Sequence, residues 1–200
     1  MDFILESRDM EDYLLSDKYI DFYNISIQRK ADELFASLTE EKERIKRAYE
    51  YVRDEIHHPM DINRKIMTRC ASEVLERGVG LCLSKSLLLA ALLRYGGIPV
   101  GLCYQRLMLG DAPDARYLIH GLNAVFLSAE KKWIRLDARG NKQNVDAQFS
   151  VDKERIAYPA KVENGDVDFP TIYARLPPLV KDALESLENP LEYSFDTCEL

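Results

Sequence analysis

Cysteine is scarce in this sequence, and the cysteines that are present are not paired. The 200 residues include only four, Cys70, Cys82, Cys103 and Cys198, and no two of them are spaced as a CxxC motif. This spacing does not form the disulfide framework of a small secreted domain, so we expect reduced thiols in a reducing compartment. We expect structural roles for Cys70 and Cys103, and an exposed position near the chain end for Cys198.

Long apolar segments and a secretion signal are also lacking. The longest apolar run extends from Leu87 to Leu93, whereas a membrane-spanning helix needs about 20 apolar residues. Residues 1–8 contain no basic stretch followed by a long apolar segment, which a signal peptide would have. We therefore predict a soluble, cytoplasmic chain with no membrane partner.

Positive charge is in deficit and is not clustered. There are 27 Lys and Arg residues against 34 Asp and Glu residues, which gives a net charge of −7. The basic residues within 40–47 are interleaved with glutamates, a pattern typical of a solvated helix face. Because an acidic chain without a basic patch is a poor partner for nucleic acid, we predict no nucleic-acid partner.

The composition indicates an ordinary globular chain, with 46% hydrophobic residues, no internal repeat and no low-complexity segment. Its length favours a single domain over residues 1–200. Within that domain we expect a helical part over residues 1–60, a core over residues 61–145 and an extension over residues 146–200.

Helical patterns come first along the chain. Helices are predicted over residues 24–38, 40–56, Ala71–Arg77 and Cys82–Tyr95. Asn24 and Thr39 are the predicted N-caps of the first two, and Gly78 is suited to end the third. The fourth helix is apolar nearly all round, so we expect it to be buried at the centre of the fold.

Strand patterns follow the central helix. Alternation of apolar and polar residues predicts strands near residues 98–104, 118–127 and 133–137. Met108–Arg116 is predicted to be a surface loop, Leu179–Leu187 a last helix, and residues 189–200 a frayed end. Helices followed by strands predict an α+β fold, in which an antiparallel sheet packs on the buried central helix.

Cys82 occupies the most informative position in the chain. It follows the glycine-containing loop Gly78–Leu81 and begins the apolar helix. At a helix N-terminus, the macrodipole and the unpaired backbone N–H groups favour a thiolate over a thiol, and the thiolate is the nucleophilic form. On its own a cysteine is more often an inert buried residue, so the functional interpretation depends on partners elsewhere in the chain.

His120 and Asp137 are the predicted partners of Cys82, and they lie on the two strands that a short connection around Ser128–Lys131 joins. A two-residue connection would place His120 directly opposite Asp137, and a four-residue connection would place Asp137 opposite Leu122. Because side chains alternate with period two, His120 and Asp137 share a face in either register. Asp137 could then accept a hydrogen bond from the imidazole and orient it towards Cys82.

A cysteine, a histidine and an aspartate in this order suit acyl transfer through a thiol. The imidazole draws off the thiol proton and stabilises the thiolate, and the imidazolium then protonates the leaving amine. The oxyanion requires donors, and the backbone N–H of Cys82 is one candidate. The sequence does not identify the second donor.

These residues also carry a resemblance to a known family. An ordered set of motifs is similar to the core of the transglutaminase-like superfamily. It consists of Gly80-Leu-Cys82 before a buried helix, residues 92–99, His120 and the segment Trp133-Ile-Arg-Leu-Asp137. The resemblance covers about residues 40–140. It implies a papain-like fold, with Cys82 as nucleophile, His120 as base and Asp137 as the acid that orients the base.

The resemblance implies thiol-dependent acyl transfer or hydrolysis at an amide of a protein, peptide or small-molecule substrate. The sequence departs from the family at the histidine, where His120-Gly-Leu-Asn123 stands in place of the frequent His-Ala-Trp. It also departs two residues after Asp137, where Arg139 replaces a frequent threonine. We therefore expect an unusual substrate groove, which the loop Met108–Arg116 could border.

Two other functions stay open at this point. One is a non-catalytic binding domain that keeps the fold, and the other is an acyltransferase that uses a thioester donor. We predict no cofactor and no metal. His57, His58 and Asp61 are candidate zinc ligands, but two adjacent histidines at a helix end are better explained by the helix dipole. Whether Lys85 faces solvent or the groove, and the oligomeric state, are not determined by the sequence.

Overall fold

The computed structural model describes residues 2–109 and 116–194. Its helices are α1 (Ile25–Phe35), α2 (Glu41–Glu55), α3 (Ala71–Arg77), α4 (Cys82–Tyr95) and α5 (Pro178–Ser186). Its strands are β1 (Ile4–Leu5), β2 (Val100–Leu109), β3 (Arg116–Leu127), β4 (Lys132–Leu136), β5 (Val167–Asp168) and β6 (Thr171–Ile172). Short 3₁₀ segments lie at Met10–Leu14, Val162–Asn164 and Pro190–Glu192. Within these described ranges, no helix is long and apolar enough to cross a membrane.

Two of the three predicted helix caps are confirmed. The Asn24 side chain accepts a hydrogen bond from the Ser26 N–H at 3.0 Å, as predicted for an N-cap. Gly78 ends α3 in the left-handed region, at φ 63°, which is also as predicted. The prediction of Thr39 as the second N-cap was wrong, because Glu40 is the first residue whose carbonyl accepts a helical bond, from the Arg44 N–H.

Helix α4 is the centre of the fold, and almost all of its residues are buried. Helices α1, α2 and α3 pack on one side of it, and strands β2 and β3 pack on the other. Gly121 of β3 allows the sheet to approach closely, because a Cβ there would lie 3.0 Å from the Leu83 Cα. Helix α4 and strand β3 therefore approach each other closely beside Cys82.

The main sheet has the order β4-β3-β2-β5, and all of its neighbouring strands are antiparallel. A second pair, β1 with β6, is parallel. Helices on an antiparallel sheet confirm the predicted α+β fold. The prediction of a loop over Met108–Arg116 was wrong at its ends, because Met108 and Leu109 belong to β2 and Arg116 belongs to β3. Residues 110–115 of the predicted loop lie outside the described residues.

The C-terminal part is more ordered than the sequence pattern indicated. Helix α5 is close to the predicted Leu179–Leu187, but the prediction that the chain frays from residue 189 was wrong for residues 189–194. Tyr193 is 3% exposed, and its hydroxyl donates to the Ile119 carbonyl of β3 at 2.7 Å. Cys198 lies outside the described residues.

Candidate active site

Cys82 is the first residue of α4, and its side chain is buried at the point where the helix meets β3. Its Sγ lies 3.8 Å from the Ile119 carbonyl oxygen. As the first residue of the helix, Cys82 has a backbone N–H without a helical acceptor. Helix α4 therefore begins at Cys82, as the sequence predicted.

His120 and Asp137 meet through the register that a four-residue connection produces. Leu127 pairs with Lys132, and the ladder continues to Asn123 with Leu136, so Asp137 follows one step beyond and faces the side of the sheet that carries His120. The His120 Nε2 lies 2.8 Å from the Asp137 Oδ2. This contact leaves the other imidazole nitrogen available to Cys82.

Asp137 is fully buried and is held by the backbone of two segments. Its Oδ1 accepts the Arg139 N–H at 3.1 Å, and its Oδ2 accepts the Ala157 N–H at 2.8 Å. The carboxylate thus connects the end of β4 to the chain that follows it. Its orientation is fixed on three sides, and this in turn fixes the imidazole.

The charges of the three groups reinforce one another. Burial of the Cys82 thiol opposes ionisation, but the charge of His120 and a hydrogen bond to it outweigh burial and lower the pKa of Cys82. Burial also opposes the charged form of His120, but Asp137 and Cys82 together raise the pKa of His120 to about 10. Burial would raise the pKa of Asp137, yet His120 and the two N–H donors lower it. The arrangement therefore favours the thiolate–imidazolium pair over the neutral thiol and imidazole.

A pocket of about 540 Å³ gives access to Cys82 and His120. Its wall has an apolar part, formed by side chains that include Met60, Leu107, Leu109 and Leu118, and a polar part that includes Arg139 and Lys142. Tyr158 also lines it, and its ring meets the His120 ring edge-on at 5.3 Å between centroids. The reactive groups therefore lie at the wall of a cavity that could hold a substrate.

A protein-family model matches the part of the chain that contains these three residues. The model of the transglutaminase-like superfamily matches residues 28–138, a range that covers more than half of the chain and contains Cys82, His120 and Asp137. The chain belongs to the transglutaminase-like superfamily.

Comparison with a solved structure from Cytophaga hutchinsonii shows the same type of fold in this transglutaminase-like protein. A protein from Cytophaga hutchinsonii described as a "Putative Cysteine Protease" matches with a TM-score of 0.53 at 17% identity, over 66% of this chain and 43% of that chain. A protein from Parabacteroides distasonis described as a "putative protease" matches with a TM-score of 0.41 at 14% identity, over 62% of this chain and 25% of that chain. The chain thus spans less than half the length of either structure. No curated protein matches it.

Lys85, whose orientation the sequence left open, is buried in the transglutaminase-like core behind the site. Its ammonium donates to the carbonyl oxygens of Ile56 at 2.5 Å, Arg139 at 3.0 Å and Arg53 at 3.4 Å. Burial, together with the nearby Arg139 guanidinium, lowers the pKa of Lys85 to about 7. Lys85 connects α4 to the end of α2 and to the segment after Asp137.

His58 is a pocket residue whose environment the sequence did not reveal. It is 6% exposed and lines the pocket together with Cys82 and His120. Burial and the charge of Arg139 lower its pKa to about 3, so it is not the cation that the helix-dipole interpretation implied. His57 next to it is exposed. Of these two adjacent histidines, His57 therefore faces the surface and His58 lines the pocket.

Other groups in the pocket wall are held by ion pairs. The Arg139 guanidinium binds the Asp61 carboxylate, with Nη2 and Oδ1 2.9 Å apart, and Lys142 reaches the same carboxylate at 3.0 Å. Asp61 is thereby committed to two cations. Within the described residues, no group of three or more metal-ligating side chains is placed to hold a metal ion.

The other two cysteines in the described ranges have different environments from Cys82. Cys103 is fully buried in β2, and burial raises its pKa to about 12. Cys70 is half-buried, and burial raises its pKa as well. Neither thiol has a histidine partner that would favour its thiolate, so each provides an internal comparison for the reactivity of Cys82.

Proposed function

We propose that this transglutaminase-like protein is a cysteine-nucleophile enzyme that hydrolyses or transfers an acyl group at an amide. The observation that supports this proposal most strongly is the connected set of Cys82, His120 and Asp137, in which the histidine and the aspartate are 2.8 Å apart. All three are buried, and the cysteine and histidine line one pocket. A buried histidine–carboxylate pair beside a thiol is the arrangement that nucleophilic catalysis needs.

The first half-reaction forms an acyl-enzyme. The Cys82 thiolate attacks the amide carbonyl carbon, and the new C–S bond places the negative charge on the carbonyl oxygen. The backbone N–H of Cys82, which has no acceptor within the helix, would donate to that oxyanion. The C–N bond then breaks as the His120 imidazolium gives its proton to the leaving amine, which yields a thioester and a neutral imidazole.

The second half-reaction regenerates the thiolate. Water or an amine attacks the thioester carbonyl, and the neutral His120 accepts the proton of the attacking group. When the acid or the new amide is released, the C–S bond breaks, and the Cys82 thiolate forms again beside the protonated His120. Asp137 stays ionised throughout, and it stabilises the imidazolium and fixes its orientation.

The pocket supports a peptide or a small amide as the substrate class. The apolar wall, which includes Leu107 and Leu118, suits an apolar acyl side chain, and the rim carries the exposed Lys142 and Lys161. A substrate of this class would place its apolar side chain against this wall and its amide carbonyl at Cys82.

The proposal is tested by the alkylation rate of each cysteine as a function of pH. Iodoacetamide modification is located by mass spectrometry in the wild type, in His120→Ala and in the matched control His57→Ala, which replaces an exposed histidine. We expect Cys82 to react well below the pH at which a free thiol ionises, about 8.5, in the wild type and the control. His120→Ala should abolish this behaviour.

The opposite result is equally clear. If Cys82 titrates as an ordinary thiol in the wild type, or if His120→Ala leaves its alkylation profile unchanged, the chain does not hold a poised nucleophile. The protein would then function as a binding domain that keeps the transglutaminase-like fold.

A further inference from the structure

His58 is fixed to the loop that leads into Cys82. The backbone of the preceding residue pairs with that loop on both sides, because the His57 N–H donates to the Gly78 carbonyl at 2.9 Å and the Gly80 N–H donates to the His57 carbonyl at 3.0 Å. The position of the His58 side chain is therefore set by the same few residues that set the position of the nucleophile.

The imidazole of His58 is enclosed but not satisfied. It is more than nine-tenths buried, and its Nδ1 has no hydrogen-bond partner. Because an unpaired buried polar group costs stability, such a side chain in a pocket wall indicates a group whose partner is a ligand.

The charge state of His58 suits a donor that stays neutral. Burial and the adjacent Arg139 guanidinium lower the pKa of His58 to about 3. At neutral pH the ring is therefore an uncharged imidazole with one N–H and one lone pair. A neutral imidazole can polarise a carbonyl without surrendering its proton.

Acylation of Cys82 calls for a second donor to the oxyanion beside the backbone N–H of Cys82. The backbone N–H of Cys82 supplies one hydrogen bond to the oxyanion, and catalysis of this kind relies on more than one. His120 is committed to the thiolate and to Asp137. Among the polar side chains that line the pocket with Cys82, His58 combines burial, the lack of a partner and attachment to the nucleophile loop.

We infer that His58 donates the second hydrogen bond to the carbonyl oxygen of the acyl group as it is transferred to Cys82. This inference rests on the proposed function and names a further catalytic residue within it. His58 forms and breaks no covalent bond and carries no net proton. It donates one N–H to an oxygen whose charge grows as the C–S bond forms, and the bond weakens again when the C–N bond breaks.

Two reagents that differ in whether they form an oxyanion test the inference. p-Nitrophenyl acetate acetylates Cys82 through a tetrahedral oxyanion, whereas iodoacetamide alkylates the same thiolate by displacement at carbon and forms none. Nitrophenolate release and mass spectrometry at Cys82 report the first rate, and mass spectrometry alone reports the second. The full chain is used as the wild type, His58→Ala, His58→Phe, His58→Gln and the surface control His57→Ala.

We expect His58→Ala to slow the acetylation of Cys82 by about 100-fold, since loss of one oxyanion donor typically costs 10²–10³ in rate. Alkylation by iodoacetamide should stay at the wild-type rate. His58→Phe keeps a ring of similar size without an N–H and should behave as His58→Ala does, which covers a loss of packing in the alanine variant. His58→Gln restores an N–H donor and should recover much of the acetylation rate.

Three outcomes overturn the inference, and they are distinguishable. Unchanged acetylation in His58→Ala and His58→Phe shows that His58 gives no hydrogen bond to the oxyanion. Equal losses of acetylation and alkylation show that His58 acts on the thiolate or on the fold. A wild-type Cys82 that neither reagent modifies faster than Cys70 removes the proposed function, and this inference with it.

Discussion

The Nε2 of His120 and the Oδ2 of Asp137 lie 2.8 Å apart between two antiparallel strands joined by a four-residue connection. Asp137 also accepts the backbone N–H of Arg139 and of Ala157. The same carboxylate therefore orients the imidazole and attaches the irregular C-terminal segment to the sheet. We therefore expect a substitution at Asp137 to affect both the proposed chemistry and the stability.

Asp137→Asn should remove the low-pH reactivity of Cys82. An amide is uncharged and cannot stabilise the imidazolium, so the pKa of His120 should fall and the pKa of Cys82 should rise. In related triads the loss of this carboxylate reduces the rate by about 10⁴. We expect the midpoint of the iodoacetamide profile to move to higher pH. A profile identical to that of the wild type would show that Asp137 does not act on the histidine.

Asp137→Asn should also change how stability depends on acid. The pKa of Asp137 is lower in the folded chain than its ordinary value. Its contribution to stability is therefore fully present above the unfolded pKa, about 3.9, and is lost as the pH falls through the folded pKa. The free energy of unfolding in urea, measured at pH 7 and near pH 3, should decrease more in the wild type than in Asp137→Asn. Equal decreases would contradict the assignment.

Gly121→Ala should disturb the contact between α4 and β3. A Cβ at this position would lie 3.0 Å from the Leu83 Cα and 3.2 Å from the Cys82 carbonyl oxygen, and both are backbone atoms that cannot rotate away. The strand and the helix must then separate, at a cost of about 1–3 kcal/mol. Because His120 precedes this glycine, we expect a lower free energy of unfolding and a shift of the Cys82 alkylation midpoint towards that of an ordinary thiol.

Gly96→Ala is the matched control for this effect. A Cβ at Gly96 would lie 3.0 Å from the side chain of Phe35, whose ring can turn aside. The alkylation profile of Cys82 should therefore stay unchanged in Gly96→Ala. If both variants leave the profile unchanged, the close approach at Gly121 is not required for the thiolate.

Arg135→Lys should weaken the link between opposite edges of the main sheet. The buried guanidinium on β4 binds Asp168 on β5 at 2.5 and 2.8 Å, and Glu154 at 2.6 and 2.8 Å. A lysine ammonium cannot form both bidentate pairs. We expect a loss of about 2 kcal/mol in the free energy of unfolding, since hydrogen bonds to charged groups are each worth about 1.5–3 kcal/mol.

Arg155→Lys is the matched control, because Arg155 and its partner Asp146 are both largely exposed. Exposed pairs contribute little, so this variant should unfold in urea close to the wild type. Equal effects of the two substitutions would mean that Arg135 is not the link that its contacts indicate.

The parts of the site that the sequence predicted are those governed by local rules. Cys82 could be placed at a helix start because the loop before it contains glycine and the helix after it is apolar. His120 and Asp137 could be placed on one face because the connection between their strands has an even length. These inferences need only helix and strand geometry, and the register of β3 with β4 agrees with them.

The parts that the sequence did not predict depend on packing between distant segments. Tyr158 and Tyr193 come from a region with little regular secondary structure, yet one meets the His120 ring and the other bonds to the Ile119 carbonyl. No periodic pattern marks such residues. His57 and His58 are adjacent in the sequence and differ in the side of the turn on which each side chain lies. The burial of His58 depends on the strand-like bridge between His57 and Val79, which no local pattern predicts.

Lys85→Met should remove a component of stability that increases with pH. The pKa of Lys85 is about 7 in the folded chain, whereas an unfolded lysine titrates near 10.4. Between these values the unfolded chain holds a proton that the folded chain has released, so the free energy of unfolding increases with pH in this window. The increase from one group is at most about 1.4 kcal/mol per pH unit.

The measurement is urea unfolding of the wild type, Lys85→Met and Lys46→Met at pH 7, 8 and 9, with all thiols kept reduced. Lys46 lies on α2, and its side chain is 55% exposed, so its replacement should leave the slope with pH unchanged. The wild type should gain stability relative to Lys85→Met as the pH rises, because only the wild type can relieve a buried ammonium by releasing its proton. A constant difference in the free energy of unfolding between the wild type and Lys85→Met from pH 7 to 9 would contradict this prediction. It would mean that Lys85 stays charged, because hydrogen bonds to the three carbonyl oxygens fully compensate its burial.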